Sequence, residues 1–327
     1  MPITTLRQLL DEATEKLNIA QVPDPRYDAR ALLMSAYQLS PAQYLLYEHD
    51  APEALIPRVL PDAEALSAAT TLFQANVDRR RRREPLQQIL GTAGFYGLDF
   101  VVTKDVLCPR ADTETLVDAV LGNLMPEQMA SASEHTVDKC PDFLSHVDNE
   151  GASLLDVCTG SGCIAIALTK FGAFRDTTAV DISDAALAIA RRNAERLLIT
   201  EAVDFTLLRS DMFSALAERT EDGKLKKYDV IVSNPPYIPS AVVDELEPEV
   251  RDYEPRIALD GTADGLRFYR ILAEEAVHYL KPGGRIYLEI GYDQGESVPA
   301  LFEAAGFQEV TVIRDFGGND RVVAAHL

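Results

Sequence analysis

Leu154-Leu155-Asp156-Val157 runs directly into Cys158-Thr159-Gly160-Ser161-Gly162-Cys163-Ile164-Ala165. Four mostly apolar residues read as a buried strand. The glycines that follow permit a tight turn and close backbone approach to a ligand. Ala165 is small enough for a helix to pack back on the sheet. Asp181 ends the next apolar run, Thr178-Ala179-Val180, where a carboxylate can accept hydrogen bonds from ribose hydroxyls. Two nucleotide ligands compete for such a loop. A dinucleotide would set its pyrophosphate at the helix N-terminus, but Asp156 at the strand end would repel that anion. S-adenosylmethionine has no phosphate and carries a sulfonium and an ammonium, which an acid suits. Ser210-Asp211, after the third strand, is placed to meet an adenine edge.

Outward from the loop, strands and helices alternate. Strands are expected at 154–157, 178–181, 205–208, 228–232, 285–290, 309–315 and 321–325, with helices at 162–170, 185–198, 265–280 and 297–305. A Lys281-Pro282-Gly283-Gly284 turn precedes the fifth strand. The pattern is that of an α/β fold with a Rossmann-like, mostly parallel doubly wound sheet. Upstream, Leu6, Leu9, Leu10, Ala13 and Leu17 recur at helical spacing. The segments 27–37, 41–47 and 63 onward repeat that spacing, giving an N-terminal helical bundle over 1–84. The segments 86–91 and 95–102 alternate and are split by Gly91 and Gly94, so a β-hairpin is expected to link the bundle, across 85–105, to a second domain over 106–327. A helix is expected over 113–124. Residues 126–150 are polar, with no sustained periodicity, and read as a surface insertion.

Asn234-Pro235-Pro236-Tyr237 follows a hydrophobic strand at the carboxyl edge of the sheet, where open α/β sheets bind ligands. Each proline fixes its own φ and restrains the residue before it, so the turn is stiff. The Asn234 side-chain oxygen and the Pro235 carbonyl form two acceptors that can hold an –NH2 group by both hydrogens. Its lone pair is then free to point along a methyl–sulfur axis for in-line displacement. Tyr237 offers an aromatic face to a planar amide or base.

Composition narrows the choices. The 327 residues carry 31 basic against 52 acidic side chains, a net charge of −21, whereas grip on duplex DNA needs a basic face. Arg79-Arg80-Arg81-Arg82-Arg83 is the one basic run. It reads as a solvated helix terminus, where cations suit the helix dipole, with a partner-docking patch as the alternative. Cys108, Cys140, Cys158 and Cys163 show no CxxC spacing and no companion histidines, so no metal site is expected and a reduced, cytoplasmic setting is. No apolar stretch approaches membrane-spanning length, and the first residues do not read as a signal peptide.

Taken together, these motifs resemble the HemK/PrmC family, and the likeness runs nearly end to end outside 126–150. It rests on Arg83-Glu84-Pro85-Leu86-Gln87, Phe95-Tyr96-Gly97-Leu98, Val106-Leu107-Cys108-Pro109-Arg110 with Thr113-Glu114, and Thr159 through Ala165. It continues through Ser233-Asn234-Pro235-Pro236-Tyr237-Ile238, Glu254-Pro255 with Ala258-Leu259, Leu288-Glu289-Ile290-Gly291, and Asp315-Phe316-Gly317-Gly318-Asn319-Asp320-Arg321. The resemblance implies a class I S-adenosylmethionine-dependent methyltransferase of the cytoplasm. Its acceptor is the side-chain nitrogen (N5) of the glutamine in the Gly-Gly-Gln motif of class 1 peptide chain release factors, and its product is S-adenosylhomocysteine. It further implies cofactor contacts from Asp156, Cys158, Thr159, Gly160, Ser161, Gly162, Asp181, Asp211 and Met212. Asn234 touches cofactor and substrate, Pro235, Pro236 and Tyr237 shape the glutamine slot, and the helical domain docks on the release factor. Cys158 stands where the family has glycine, and Met212 where an aromatic is common.

The Asn-Pro-Pro-Tyr turn alone is shared with adenine-N6 nucleic-acid methyltransferases, the nearest alternative. That activity calls for a basic channel and a target-recognition segment. A dinucleotide-dependent oxidoreductase conflicts with Asp156 and with the turn. A cofactor-sensing or scaffold protein would keep the loop without transferring a methyl group.

Overall fold

The computed structural model describes residues 5–122, 151–172, 174–200, 202–216 and 225–327. The expected insertion at 126–150 lies outside the described residues. The chain divides into two compact units: Met1–Gly91 with Glu247–Tyr253, and Thr92–Leu246 with Glu254–Leu327.

The first unit is a helical bundle of α1 (Leu6–Ile19), α2 (Pro25–Ala36), α3 (Pro41–Tyr47), α4 (Ala63–Arg81) and α5 (Leu86–Leu90). Local chemistry starts each of the first four. Thr5 with Gln8 and Ser40 with Gln43 form reciprocal capping boxes, and Asp24 and Asp62 cap α2 and α4. Pro25 and Pro41 open their helices at the position where a missing N–H costs nothing. The apolar stripes meet in a core that includes Leu6, Leu10, Leu17, Leu32, Leu33, Tyr37 and Phe73.

Two expectations change here. The segment 86–90 is helical, and Gly91, at φ 75°, closes it. Leu86 and Ile89 are its buried residues, an i, i+3 spacing that a five-residue window cannot tell from strand alternation. The hairpin starts after it, as β1 (Thr92–Phe95) and β2 (Leu98–Val101) in the second unit. The arginine run does end a helix, and Arg81 and Arg82 are exposed there as expected, but Arg80 and Arg83 are drawn into ion pairs. Arg80 is buried and bonds to Asp28 at 2.6 Å, Glu249 at 2.9 Å and the Glu84 carbonyl at 3.1 Å. Arg83 pairs with both Glu249 and Glu247, Arg79 with Glu84, and Arg81 with Asp78. For Arg80 and Arg83 the acids are distant in sequence, which charge patterning along the chain does not reveal.

In the second unit, the hairpin is followed by α6 (Glu114–Leu121), β3 (Ala152–Val157), α7 (Cys163–Phe171), β4 (Phe174–Asp181), α8 (Asp184–Leu197), β5 (Asp204–Arg209) and β6 (Tyr228–Ser233). The short α9 (Ser240–Val243) precedes α10 (Pro248–Arg251), which belongs to the first unit; α11 (Arg267–Tyr279), β7 (Leu280–Glu289), α12 (Ser297–Ala304), β8 (Gln308–Arg314) and β9 (Asp320–His326) complete the second. The seven-stranded sheet has the order β5-β4-β3-β6-β7-β9-β8, parallel except for β9. The expected Lys281–Gly284 turn lies inside β7, whose register with β6 jumps from Leu280 to Arg285 around Gly283 at φ 75°. From β3 the chain winds outward to β5 and then returns to β6 on the other side of β3. The carboxyl ends of β3 and β6 are therefore the topological switch point, where the crevice of a doubly wound sheet opens.

Breaking the buried arginine cluster should cost far more than breaking an exposed pair. Arg80→Ala strands Asp28 in the interior and is expected to lower stability by roughly 3–5 kcal/mol. Arg81→Ala, whose side chain is 50% exposed, should cost under about 1 kcal/mol. Urea unfolding of the two variants checks the ranking, and equal losses would refute it.

Candidate active site

The glycine loop is held from three sides. The Thr159 N–H donates to the Val180 carbonyl at the end of β4, and Gly162 closes onto the Thr159 carbonyl. Asp181 accepts from the Gly160 N–H at 2.9 Å and from the Ser183 N–H at 2.9 Å. Asn193 of α8, fully buried, donates to the carbonyls of Ser161 and Val101 and accepts from the Val101 N–H. One side chain thus ties the loop to the hairpin, a role nothing in the local sequence announces. Gly162 is required by geometry: its φ is 81°, and a Cβ there would press on Ile166 and Ala190. Cys158 also sits at positive φ, 65°, which accounts for glycine at this place in the resembled family.

A cleft of about 520 Å³ opens over this loop. Cys158, Thr159, Gly160, Ser161, Asp181, Asp211, Met212, Asn234 and Pro236 all line it. Asp156, Gly162, Pro235 and Tyr237 do not line it. Gly162 instead caps α7, and Asp156 lies fully buried behind the loop, accepting from the Thr159 hydroxyl at 2.6 Å. Asp156 Oδ1 has no hydrogen-bond partner, and burial pushes its carboxyl up to about 7, against the Thr159 hydrogen bond. Burial also raises Asp181, opposed by the N–H groups of Ser183 and Gly160. An acid starved of counter-charge beneath one wall of the cleft fits a cationic ligand and disfavours a pyrophosphate. Met212 is buried at φ 50°, its carbonyl accepting from the Ser210 hydroxyl and its sulfur 3.8 Å from Cys158 Sγ. Among the described residues no group of three or more acids, cysteines or histidines is placed to hold a metal.

On the other side of the switch point, the Ser233 hydroxyl donates to the Val157 carbonyl at 2.6 Å, joining the ends of β6 and β3. The turn that follows is wedged in place. Ile238 exchanges backbone hydrogen bonds with Leu259 and Gly261, and Gln294 donates to the Tyr237 carbonyl at 3.1 Å. Gly265, at φ 73°, has no room for a side chain, because a Cβ there would run into that same carbonyl. The Asn234 amide donates through Nδ2 to Thr113 Oγ1 at 3.5 Å. Neither Asn234 Oδ1 nor the Pro235 carbonyl accepts a hydrogen bond among the described residues. Asn234 Oδ1 is therefore an unengaged acceptor at the cleft, whereas Pro235, whose carbonyl is also unengaged, is buried and outside the lining.

Tyr237 departs from the expected picture of an aromatic face in the slot. Its hydroxyl donates to the buried carboxyl of Glu289 at 3.3 Å, and burial, with Glu289 beside it, drives the phenol well above its ordinary value. Around Glu289, Tyr269 donates to its carbonyl at 2.7 Å, and Arg321 bridges Asp315, Asp112 and the Ile290 carbonyl. Glu289, Thr113 and Arg321 lie in motifs that the sequence marks without giving them a task. Arg110, which lines the cleft, is anchored by the buried Glu254 at 2.8 Å.

The family model of the PrmC N-terminal domain matches residues 8–91, and that of ribosomal protein L11 methyltransferase (PrmA) matches 131–254. A release factor glutamine methyltransferase of Geobacter sulfurreducens is 38% identical over 99% of this chain and 98% of its own. Proteins of the same name from Caulobacter vibrioides and Moorella thermoacetica are each 38% identical over 98% of this chain, covering 95% and 98% of their own. With identity at that level from end to end, spanning both the helical unit and the sheet that carries the turn, the chain belongs to the release factor glutamine methyltransferase family.

Proposed function

We propose that this enzyme transfers the methyl group of S-adenosylmethionine to the side-chain amide nitrogen (N5) of the glutamine in the Gly-Gly-Gln motif of class 1 release factors, in the cytoplasm. The observation that carries this is the free acceptor Asn234 Oδ1 in a cleft shared by Asn234, the glycine loop and Asp181, with the unengaged Pro235 carbonyl in the adjoining turn. The names and end-to-end likeness of the relatives supply the protein substrate. S-adenosylmethionine, when bound, contributes an electrophilic sulfonium methyl group.

The chain's own residues orient and enclose. Cys158, Thr159, Gly160 and Ser161 present the loop wall, with Gly162 shaping the turn. Asp181 takes the ribose hydroxyls, Asp211 and Met212 meet the adenine, and Asp156 balances positive charge from behind Thr159. Asn234 and Pro235 hold the acceptor –NH2 by both hydrogens, which turns its lone pair toward the methyl group. Pro236 walls the slot, while Tyr237 stiffens the turn from behind through Glu289. As the new N–C bond forms and the S–C bond breaks, the nitrogen becomes cationic and then loses a proton to solvent. The helical unit docks on the release factor.

An adenine amino group would satisfy the same two acceptors. Against that reading, Arg79, Arg80, Arg81 and Arg83, the main basic cluster, are ion-paired with acids of the first unit, so they do not form a phosphate-binding face.

Labelled S-adenosylmethionine incubated with a release factor should mark it, and should not mark its Gln→Ala variant at the Gly-Gly-Gln motif; label on DNA instead would overturn the assignment. Asn234→Ala should reduce transfer by about a hundredfold or more, the scale of one lost preorganised polar contact, while keeping most cofactor affinity. Near-wild-type transfer would refute its role.

Binding should also depend on pH with a definite sign. A nearby cation favours the Asp156 carboxylate, so complex formation lowers its pKa from about 7 and releases a proton. Affinity should therefore rise as pH increases through about 7 and level off above it. Above pH ~8, where the ligand's own ammonium deprotonates, affinity should fall from that plateau. Calorimetric titration of Asp156→Asn should show this climb flattened, and an unchanged profile would exclude Asp156 as its source.

A further inference from the structure

An asparagine amide has two ends of opposite character. To hold an –NH2 group, Asn234 must turn Oδ1 toward it; a flipped amide would set its own N–H bonds against the acceptor's. At 3.5 Å from Thr113 Oγ1, Nδ2 makes the hydrogen bond that distinguishes the two ends. Thr113 is 2% exposed and lines the cleft, in the 3₁₀ turn that leads into α6. A hydroxyl can also donate, so Thr113 could equally favour the wrong end. What decides is where its single proton goes. Glu289, 2% exposed, lies against it: burial raises its carboxyl, and the Thr113 hydroxyl opposes that rise. The Glu289 oxygen Oε1 takes the Tyr237 hydroxyl, and the buried Oε2 has no hydrogen-bond partner. The carboxyl therefore has a buried acceptor to spare beside Thr113. With the Thr113 proton drawn to Glu289, only lone pairs remain to face Asn234.

We propose that Thr113, backed by Glu289, is a positioning residue that fixes the Asn234 amide with Oδ1 toward the acceptor nitrogen. This rests on the methyl-transfer reading above and adds the device that orients its central side chain. The chain of contacts runs from the buried acid through one hydroxyl to the amide, and it explains why a threonine stands at this point of the cleft wall. Thr113→Val keeps the shape and removes the hydroxyl. Thr113→Ser keeps the hydroxyl.

The test uses the full chain with labelled S-adenosylmethionine and a release factor. Thr113→Val should lower kcat by roughly ten- to a hundredfold, the cost of one misdirected buried polar contact. Its dissociation constant for S-adenosylhomocysteine should stay within about twofold, since the lost contact serves only the acceptor. Thr113→Ser should restore most of the rate. Glu289→Gln, which can offer an N–H where a carboxylate only accepts, should slow transfer in the same direction. A Thr113→Val enzyme with wild-type kcat, or a serine variant as slow as the valine variant, overturns the proposal. A second readout needs no activity: the Asn234 side-chain NH2 protons should resist hydrogen exchange in the wild type and Thr113→Ser, and lose that protection in Thr113→Val. Equal exchange in all three overturns the orientation device even if the acceptor were something other than a release factor. Absence of label on any release factor with the wild type counts against the functional reading alone.

Discussion

Val157 and Ser233 end neighbouring parallel strands in direct register, and the Ser233 hydroxyl closes on the Val157 carbonyl at 2.6 Å. Everything at the site depends on that adjacency. The chain leaves β3 in one direction and comes back to β6 in the other, so the crevice between their ends is bounded by the Cys158–Gly162 loop on one side and Asn234–Tyr237 on the other. Residues more than seventy positions apart in sequence thereby share one cleft. In the proposed reaction, a methyl donor at the first loop and an –NH2 at the second would be brought within reach by sheet topology rather than by any flexible arm.

Rigidity at the turn has an identifiable source. Two prolines limit the backbone, but they do not place it. Placement comes from Gly261 and Gly265, which let the 259–265 segment approach the turn closely, from Gln294 on the Tyr237 carbonyl, and from Tyr237 on Glu289. Glu289 in turn sits among Thr113, Tyr269 and Arg321, the last held by Asp315. Such a buried polar set is costly unless its members satisfy one another. Here it lies directly beneath the residues whose orientation the chemistry needs, which is where a stiff support has most effect.

The strongly acidic chain keeps its arginines for itself. Arg80 and Arg83 gather Asp28, Glu247 and Glu249 within the helical unit, drawing a seven-residue excursion, Glu247–Tyr253, into a body otherwise made of the first ninety-one residues. Tyr253 adds a hydrogen bond to the Arg82 carbonyl, and Gln88 one to the Tyr253 carbonyl. Read along the chain, Arg79–Arg83 is a charge run in search of a partner. In the folded unit Arg80 and Arg83 are taken up by acids of the same unit, while Arg81 and Arg82 stay exposed at the helix end.

The sequence by itself determined the elements and the chemistry. Alternating apolar runs and helical spacing mark nearly every strand and helix of the second unit, because burial on two faces of a sheet imposes a pattern that local composition records. The glycine loop, Asp181 and the Asn-Pro-Pro-Tyr turn were legible because backbone freedom, charge and missing N–H groups are properties of the residues themselves. Only the tertiary structure decided which of these face the cleft: Asp156, Pro235 and Tyr237 lie outside its lining, Asp156 bonded to Thr159 and Tyr237 to Glu289. It also revealed Asn193, Thr113, Glu289 and Gln294 as supports, and turned the 86–90 segment into a helix where alternation suggested a strand. The physical reason is the same in each case. A buried polar side chain is defined by the partner that satisfies it, and that partner is supplied by the fold, not by its neighbours in the chain.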